Sequence, residues 1–279
     1  MIGALLFGAL VAVQPALALD PEPTLELETA VSYFTLGARV NMTSGLKQPL
    51  WNEEDSLLFG DTWLSLQAIT NISPSYVRVG PQLSFSPLAM LEASAHYVAS
   101  PYFGTFSSLI GFDDPAAVYD PDTLDALAAD GNRQPGFVTR YGADLTLKAK
   151  AGPVAALFIS EWARWKLFDN DMQMKPYYYE PESKLLLAKT DTTLSNDALL
   201  LVDVPLLDAQ KELFVGLMGS QSRALVSEDV RRSIGPIFIL NTKGGRTQHL
   251  LLVQAMIDDR VMDQLFPPYI AIRSRYTLL

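Results

Sequence analysis

Apolar and polar residues alternate with a period of two along much of this chain, the pattern of an extended strand with one greasy and one wet face. From Val77 to Ser86 the odd positions Val77, Val79, Pro81, Leu83 and Phe85 share one face, while Arg78, Gly80, Gln82, Ser84 and Ser86 share the other. Leu91 to Ser100 repeats this, with Leu91, Ala93, Ala95, Tyr97 and Ala99 set against Glu92, Ser94, His96, Val98 and Ser100. From Phe137 to Lys150 the apolar set is Phe137, Tyr141, Ala143, Leu145, Leu147 and Ala149, opposite Arg140, Asp144, Lys148 and Lys150. Weaker patterns predict strands at 25–42, 57–71, 154–168, 176–189, 197–205, 211–222, 231–242, 247–257 and 268–279, twelve in all with the first three.

Turn residues separate these runs, as in Ser86-Pro87-Leu88-Ala89, Ala151-Gly152-Pro153 and Asn241-Thr242-Lys243-Gly244-Gly245. The run 25–42 changes phase between Tyr33 and Phe34, which predicts a β-bulge. Leu199 to Val204 and Leu213 to Met218 are apolar on both faces, which points to a narrow or partly packed interior. Counting twelve strands from the amino terminus puts the long loop after Ser100 on the same side as that terminus. Either a strand near the amino terminus is missed or split in this count, or the 176–189 segment lies inside an extracellular loop.

Residues Met1–Ala18 form an uncharged apolar run ending in Ala16-Leu17-Ala18, the small-x-small pattern of a signal peptidase site. The run contains Pro15 and is shorter than the roughly 20 residues of a spanning helix. A cleaved signal peptide over 1–18 and a single mature domain over 19–279 are therefore expected. After residue 18 no apolar stretch is long enough for a membrane helix, so a membrane-integral form must cross as strands. The absence of cysteine excludes disulfides, thiolate metal sites and thiol nucleophiles. The balance of 21 basic against 31 acidic residues argues against a nucleic-acid partner.

Aromatic residues gather at predicted strand ends: Trp51, Phe59 and Trp63, then Tyr102, Phe103 and Phe106, then Trp162, Trp165 and Phe168, then Phe266 and Tyr269. Such placement is expected of membrane-interface girdles, with Trp63, Tyr102, Phe103, Trp162, Trp165 and Tyr269 the chief candidates. Ordinary packing in an exported soluble β-protein is the alternative. Leader, alternation, short turns against long loops and the terminal strand Tyr269–Leu279 together resemble Gram-negative outer-membrane β-barrel proteins over the whole mature length. The resemblance implies an all-β, antiparallel transmembrane barrel of about 12 strands with long extracellular loops, located in the outer membrane. It also implies a last strand read by the barrel-assembly machinery, although Leu279 stands where the class usually has an aromatic, with Tyr276 three residues earlier.

Candidate chemistry is sparse. Arg78, Glu92, His96, Arg140, Asp144 and Lys148 take the non-apolar parity of their strands, and Arg273 and Arg275 share one parity of the last. These are the expected lumen-lining residues, forming an ion-pair ladder that closes the interior or sets the selectivity of a narrow channel. Barrel lipases and deacylases use a His and a Ser, but a site for lipid faces outward and His96 is expected to point inward. The loop Gly104–Pro135 is rich in aspartate without calcium-loop spacing, and Asp122 is the expected cap of a short helix. Tyr177–Glu182 reads as a girdle or loop-packing segment, with a surface recognition patch as the alternative. No metal or cofactor is expected. Three functions follow: a small-solute channel, a closed structural or surface-interaction barrel, or a lipid-modifying enzyme.

Overall fold

The computed structural model describes residues 20–33, 37–51, 62–106, 108–168, 175–206, 208, 210–242, 246–257 and 269–279. Residues 1–18, and with them the expected signal peptide, lie outside these, as do Phe59 and Phe266. In chain order the elements are β1 (Glu22–Tyr33), β2 (Gly37–Trp51), β3 (Thr62–Ile72), β4 (Val77–Leu88), β5 (Leu91–Phe103), β6 (Gly111–Phe112), α1 (Pro121–Ala129), β7 (Pro135–Ala151) and β8 (Val154–Phe168). There follow β9 (Tyr177–Glu180), β10 (Leu185–Ala188), β11 (Thr190–Val204), β12 (Lys211–Ala224), β13 (Val230–Thr242), β14 (Thr247–Met256) and β15 (Tyr269–Thr277).

Twelve strands close into an antiparallel barrel in the order β1-β15-β14-β13-β12-β11-β8-β7-β5-β4-β3-β2. Closure runs from Glu26 opposite Thr277 to Tyr33 opposite Ile270, so the wall presents no unpaired edge. The expected number of strands is found, but two expectations behind it are corrected. The run 25–42 is two strands: Ser32 faces Gly37 and Thr29 faces Val40, so the phase change marks a hairpin and not a bulge. The 176–189 segment is not in the wall, because β9 and β10 pair with each other and with β6 in a separate three-stranded sheet. These changes cancel in the count, and both resolve the orientation problem. The connection of residues 104–134 now lies at the end opposite the two termini, with the other long connection between β8 and β11. The terminal end carries the tight turns at 89–90 and 152–153, the asymmetry of periplasmic turns and extracellular loops.

Alternation assigns each side chain to a face. Leu66 is 61% exposed and Ile272 57%, while Ser65 on the intervening parity is 2%. The outer wall is an apolar band with Leu64, Leu83, Phe85, Leu145, Phe158, Leu200, Leu217 and Phe238 among its exposed members. Inside, the two halves differ. Toward β11–β14 the interior holds an apolar cluster of Leu199, Leu201, Ile237, Ile239 and Leu252, which explains why those strands are apolar on both faces. Toward β1–β7 and β15 the interior is polar and charged.

The β9–β10 hairpin plugs the long-loop end. One face, Tyr178, Leu185 and Leu187, packs on the inner wall at Tyr102, Val138, Ala163, Trp165 and Leu167. The other, Tyr179 and Leu186, packs under the 104–134 loop at Ile110, Phe112, Tyr119, Leu124 and Ala128. Within that loop α1 starts at Pro121, which suits the first helical position, and the Asp120 side chain accepts from the Thr123 amide at 2.7 Å. The cap is therefore Asp120, and Asp122 sits in the first turn. Two buried carboxylates tie the layers together. Asp191, fully buried, accepts from the amides of Ala188, Thr192, Val226 and Ser227. Asp229 accepts from the Tyr119 hydroxyl and the Leu186 amide, each at 2.7 Å.

Candidate functional site

A cavity of about 460 Å3 lies inside the barrel, beneath the plug on the side of the termini. Its walls come from strands distant in sequence but adjacent in the sheet. They supply Arg39 (β2), Arg78 (β4), His96 (β5), Arg140 and Asp144 (β7) and Arg273 and Arg275 (β15). Each sits at an inward parity, since in a barrel immersed in lipid an outward arginine near the midplane costs about 2–4 kcal/mol. Glu92 and Lys148 share the inward parity nearer the termini and pair at 2.8 Å, outside the cavity lining.

The charges form local sets. Glu28 accepts from Asn41 Nδ2 at 2.9 Å and from Arg273 and Arg275 at 3.5 Å each, with Arg39 at 4.0 Å. Arg140 pairs with Glu161. Asp144 accepts from Ser94 Oγ at 2.7 Å and lies 3.4 Å from His96 Nδ1. His96 reaches it by lying over Gly142, where an added Cβ would fall 3.0 Å from the ring and 2.5 Å from the Trp162 carbonyl oxygen. Ser94 and His96 thus converge on Asp144 and not on each other, so this cluster lacks the nucleophile–base contact that acyl transfer requires.

The turn of the plug, Pro181–Lys184, reaches into the cavity. Glu180 at its start is fully buried, accepting from the Tyr102 hydroxyl and the Ser183 amide at 2.6 Å each. That fixes the direction of the turn and aims Glu182 at the wall arginines. One Glu182 oxygen pairs with Arg78 and stands 3.7 Å from Arg140, and the other is 3.7 Å from Arg39. Arg78 is held from behind by its Nε donating to Ser100 Oγ at 3.0 Å. Its guanidinium lies over the Tyr76 ring at 5.0 Å and near that of Trp165 at 5.8 Å. Lys184, at the end of the turn, has φ 54° and is 7% exposed, its Nζ 3.5 Å from the Tyr269 ring centroid. Burial, with Arg231 and Arg39 nearby, pushes this ammonium well below its ordinary range.

A second cavity of about 680 Å3 lies on the loop side of the turn, between the plug layer and β1, β14 and β15. Arg39, Glu182 and Arg273 line both cavities.

The aromatic placements divide. Phe103 and Trp162 are exposed on the outer wall at 50% and 40%. Tyr102 and Trp165 are instead buried inside, Trp165 donating its indole N–H to Thr193 Oγ1 at 2.9 Å. Tyr269 packs inward on the plug, and Trp63 takes the inward parity of Ser65, within reach of Lys47. For Tyr102, Trp165 and Tyr269 the cause is the plug, since aromatics at the long-loop end serve either a girdle or a plug and only the plug's position decides between them; Trp63, toward the terminal end, turns inward beside Lys47 instead. Sequence reasoning also missed Arg39 and Glu28, lost in the run read as one strand, and Glu182, read as loop. It left His249 aside. That residue faces outward beside Ser274, Nδ1 to Oγ 2.9 Å, with the Tyr276 ring edge-on.

Closed antiparallel pairing with an apolar exterior and a charged interior defines a transmembrane β-barrel of the outer-membrane class, because water cannot solvate such an exterior and lipid can. No helix among the described residues is long and apolar enough to cross a membrane. No family model matches the chain, and no curated protein matches it. Solved structures similar in fold include the β domain of the Bordetella autotransporter BrkA, at 9% identity over 92% of this chain and 98% of that one, TM-score 0.48. LpxR from Salmonella typhimurium matches at 9% identity over 91% and 99%, TM-score 0.40. The translocator domain of autotransporter NalP from Neisseria meningitidis matches at 11% over 99% and 94%, TM-score 0.40.

Proposed function

We propose that this outer-membrane barrel is a narrow small-solute channel whose long-loop end is closed by its own β9–β10 plug. The observation that carries the reading is the way two interior cavities meet at a charged tip. Glu182 and its arginines separate a space of about 460 Å3 on the terminal side from one of about 680 Å3 on the loop side. Displacing one turn joins them, whereas the apolar body of the plug stays packed. On this reading residues 1–18 are the cleaved signal peptide, and Tyr269–Leu279 is the strand that the barrel-assembly machinery engages. Replacing residues 177–188 with a short Gly/Ser linker and recording planar-bilayer conductance tests it. The wild type is expected to show small, intermittent steps and the replacement a larger steady conductance. A bilayer equally silent with both folded proteins refutes the channel.

Two other readings each have an observation behind them. Apolar packing on both faces of the plug favours a closed barrel acting through its loops. The outward His249–Ser274 contact favours a lipid-ester hydrolase, although no carboxylate is seen to orient the imidazole among the described residues. Ser274→Ala abolishing release from a fluorogenic phospholipid would support the enzyme, and unchanged release would remove it.

A further inference from the structure

The plug's contact with the wall is unequal in kind along its length. The body is held by apolar packing and by buried aspartates, whereas in the turn Lys184 packs on the Tyr269 ring, Arg231 donates to the Ser183 carbonyl at 3.4 Å and Glu182 meets the wall arginines. The other arginines of the cavity have wall carboxylates of their own: Glu28 takes Arg273 and Arg275 with Arg39 at 4.0 Å, and Glu161 takes Arg140. Arg78 differs. Its carboxylate comes from the plug, at Glu182. The Arg78 side chain is only 4% exposed, and its Nη2 is buried without a hydrogen-bond partner, as are Arg39 Nε and Arg140 Nε. Ser100 and the rings of Tyr76 and Trp165 fix the guanidinium in place whether or not the tip is there. A rigid, buried, under-satisfied guanidinium facing a solvent-sized cavity is a preorganised receptor for a planar oxyanion, which it can engage with two parallel N–H groups.

Granting the channel reading, on which it rests, we infer that the Arg39–Arg78–Arg140 cluster is a binding site for small organic carboxylates. Glu182 is a tethered copy of that ligand which holds the site while the plug is seated. The tether gives Glu182 a high effective concentration, so the tip prevails at low solute. A carboxylate entering from the terminal side competes for Arg78 and releases the turn, and the same event that fills the site joins the two cavities. A cation meets only the freed Glu182 carboxylate and leaves the wall guanidinium groups without an anion.

Trp165 lies 5.0 Å from the Arg140 guanidinium as well as near Arg78, so its fluorescence reports on the site. The experiment titrates succinate into detergent-solubilised full-length protein, following tryptophan emission, with inorganic phosphate at equal ionic strength as the comparison. In the wild type a weak, saturable change is expected with succinate. Glu182→Gln is expected to bind succinate at least tenfold more tightly, since it removes the competing charge. Arg78→Gln, and the double variant of both positions, should show no saturable change. Retained heat-modifiable mobility certifies that each variant is folded. Equal affinity in wild type and Glu182→Gln, or binding that survives Arg78→Gln, overturns the inference, and phosphate matching succinate overturns the carboxylate assignment. The readout needs no bilayer. A conducting protein that does not bind therefore refutes the site alone, and a binding protein that never conducts refutes the channel alone.

Discussion

Asp191 is the residue whose replacement most directly probes how the plug is anchored. It sits fully buried at the start of β11 and accepts four backbone N–H groups. One carboxylate oxygen takes Thr192 at 2.7 Å and Val226 at 2.9 Å; the other takes Ala188 at 2.9 Å and Ser227 at 3.1 Å. It therefore joins the end of the plug, the first turn of a wall strand and the β12–β13 connection. Asp191→Asn preserves shape, but whichever oxygen becomes the amide group, two backbone N–H groups lose their acceptor, Thr192 and Val226 or Ala188 and Ser227. At about 1–3 kcal/mol for each stranded donor, the anchoring is weakened by about 2–6 kcal/mol. Each 1.4 kcal/mol is tenfold in an equilibrium, so even the lower figure raises the opening of the hairpin by about 30-fold. Hydrogen–deuterium exchange of Leu185–Ala188 in detergent micelles reads this directly, with the amides of β3 and β4 as an internal reference that should not move. Exchange of the hairpin within threefold of wild type, in a variant that keeps its heat-modifiable mobility, would refute the anchoring argument.

Lys184 gives the pH dependence. Its amine binds a proton less readily in the folded protein than at its ordinary value near 10.5, so the folded state holds fewer protons and plug protection is expected to rise as pH climbs towards that value. Lys184→Met should abolish this slope and raise protection at pH 7, and a slope that persists would mean that another group is responsible. Leu66→Arg places a charge on the lipid-facing wall and is expected to cost about 2–4 kcal/mol in guanidine unfolding from phospholipid vesicles, whereas Gln67→Arg, facing the lumen, should cost far less; equal effects would reverse the assignment of faces. Tyr119→Phe deletes a buried bond to the Asp229 carboxylate, worth about 1.5–3 kcal/mol for a charged acceptor. It should speed exchange at Leu186, and no change there would show that α1 and its loop do not brace the plug.

Alternation along the chain determined the class and the faces. Lipid surrounds a barrel on every side, so every wall strand carries the same demand at every second residue, and Val77–Ser86 or Phe137–Lys150 displays it without reference to any partner. The inward parity of Arg78, His96, Arg140 and Asp144 follows from the same demand. What local pattern does not encode is which segments are exempt from it. Tyr177–Ala188 is apolar at consecutive positions, like the doubly apolar wall strands, because it too packs two apolar faces, one on the barrel and one under the α1 loop, and only tertiary placement distinguishes a plug from a stave. The hairpin formed by β1 and β2 was hidden because the phase change it causes is also what a bulge produces. Tyr102 and Trp165 carry the aromatic signature of a girdle yet turn inward, since the nearest apolar surface to them is the plug. The site itself is a product of closure. Arg39, Arg78 and Arg140 are separated by tens of residues, and a turn from beyond β8 brings Glu182 to them. Strand register around the barrel sets these distances, and register is fixed by pairing between strands, which no single strand's sequence contains.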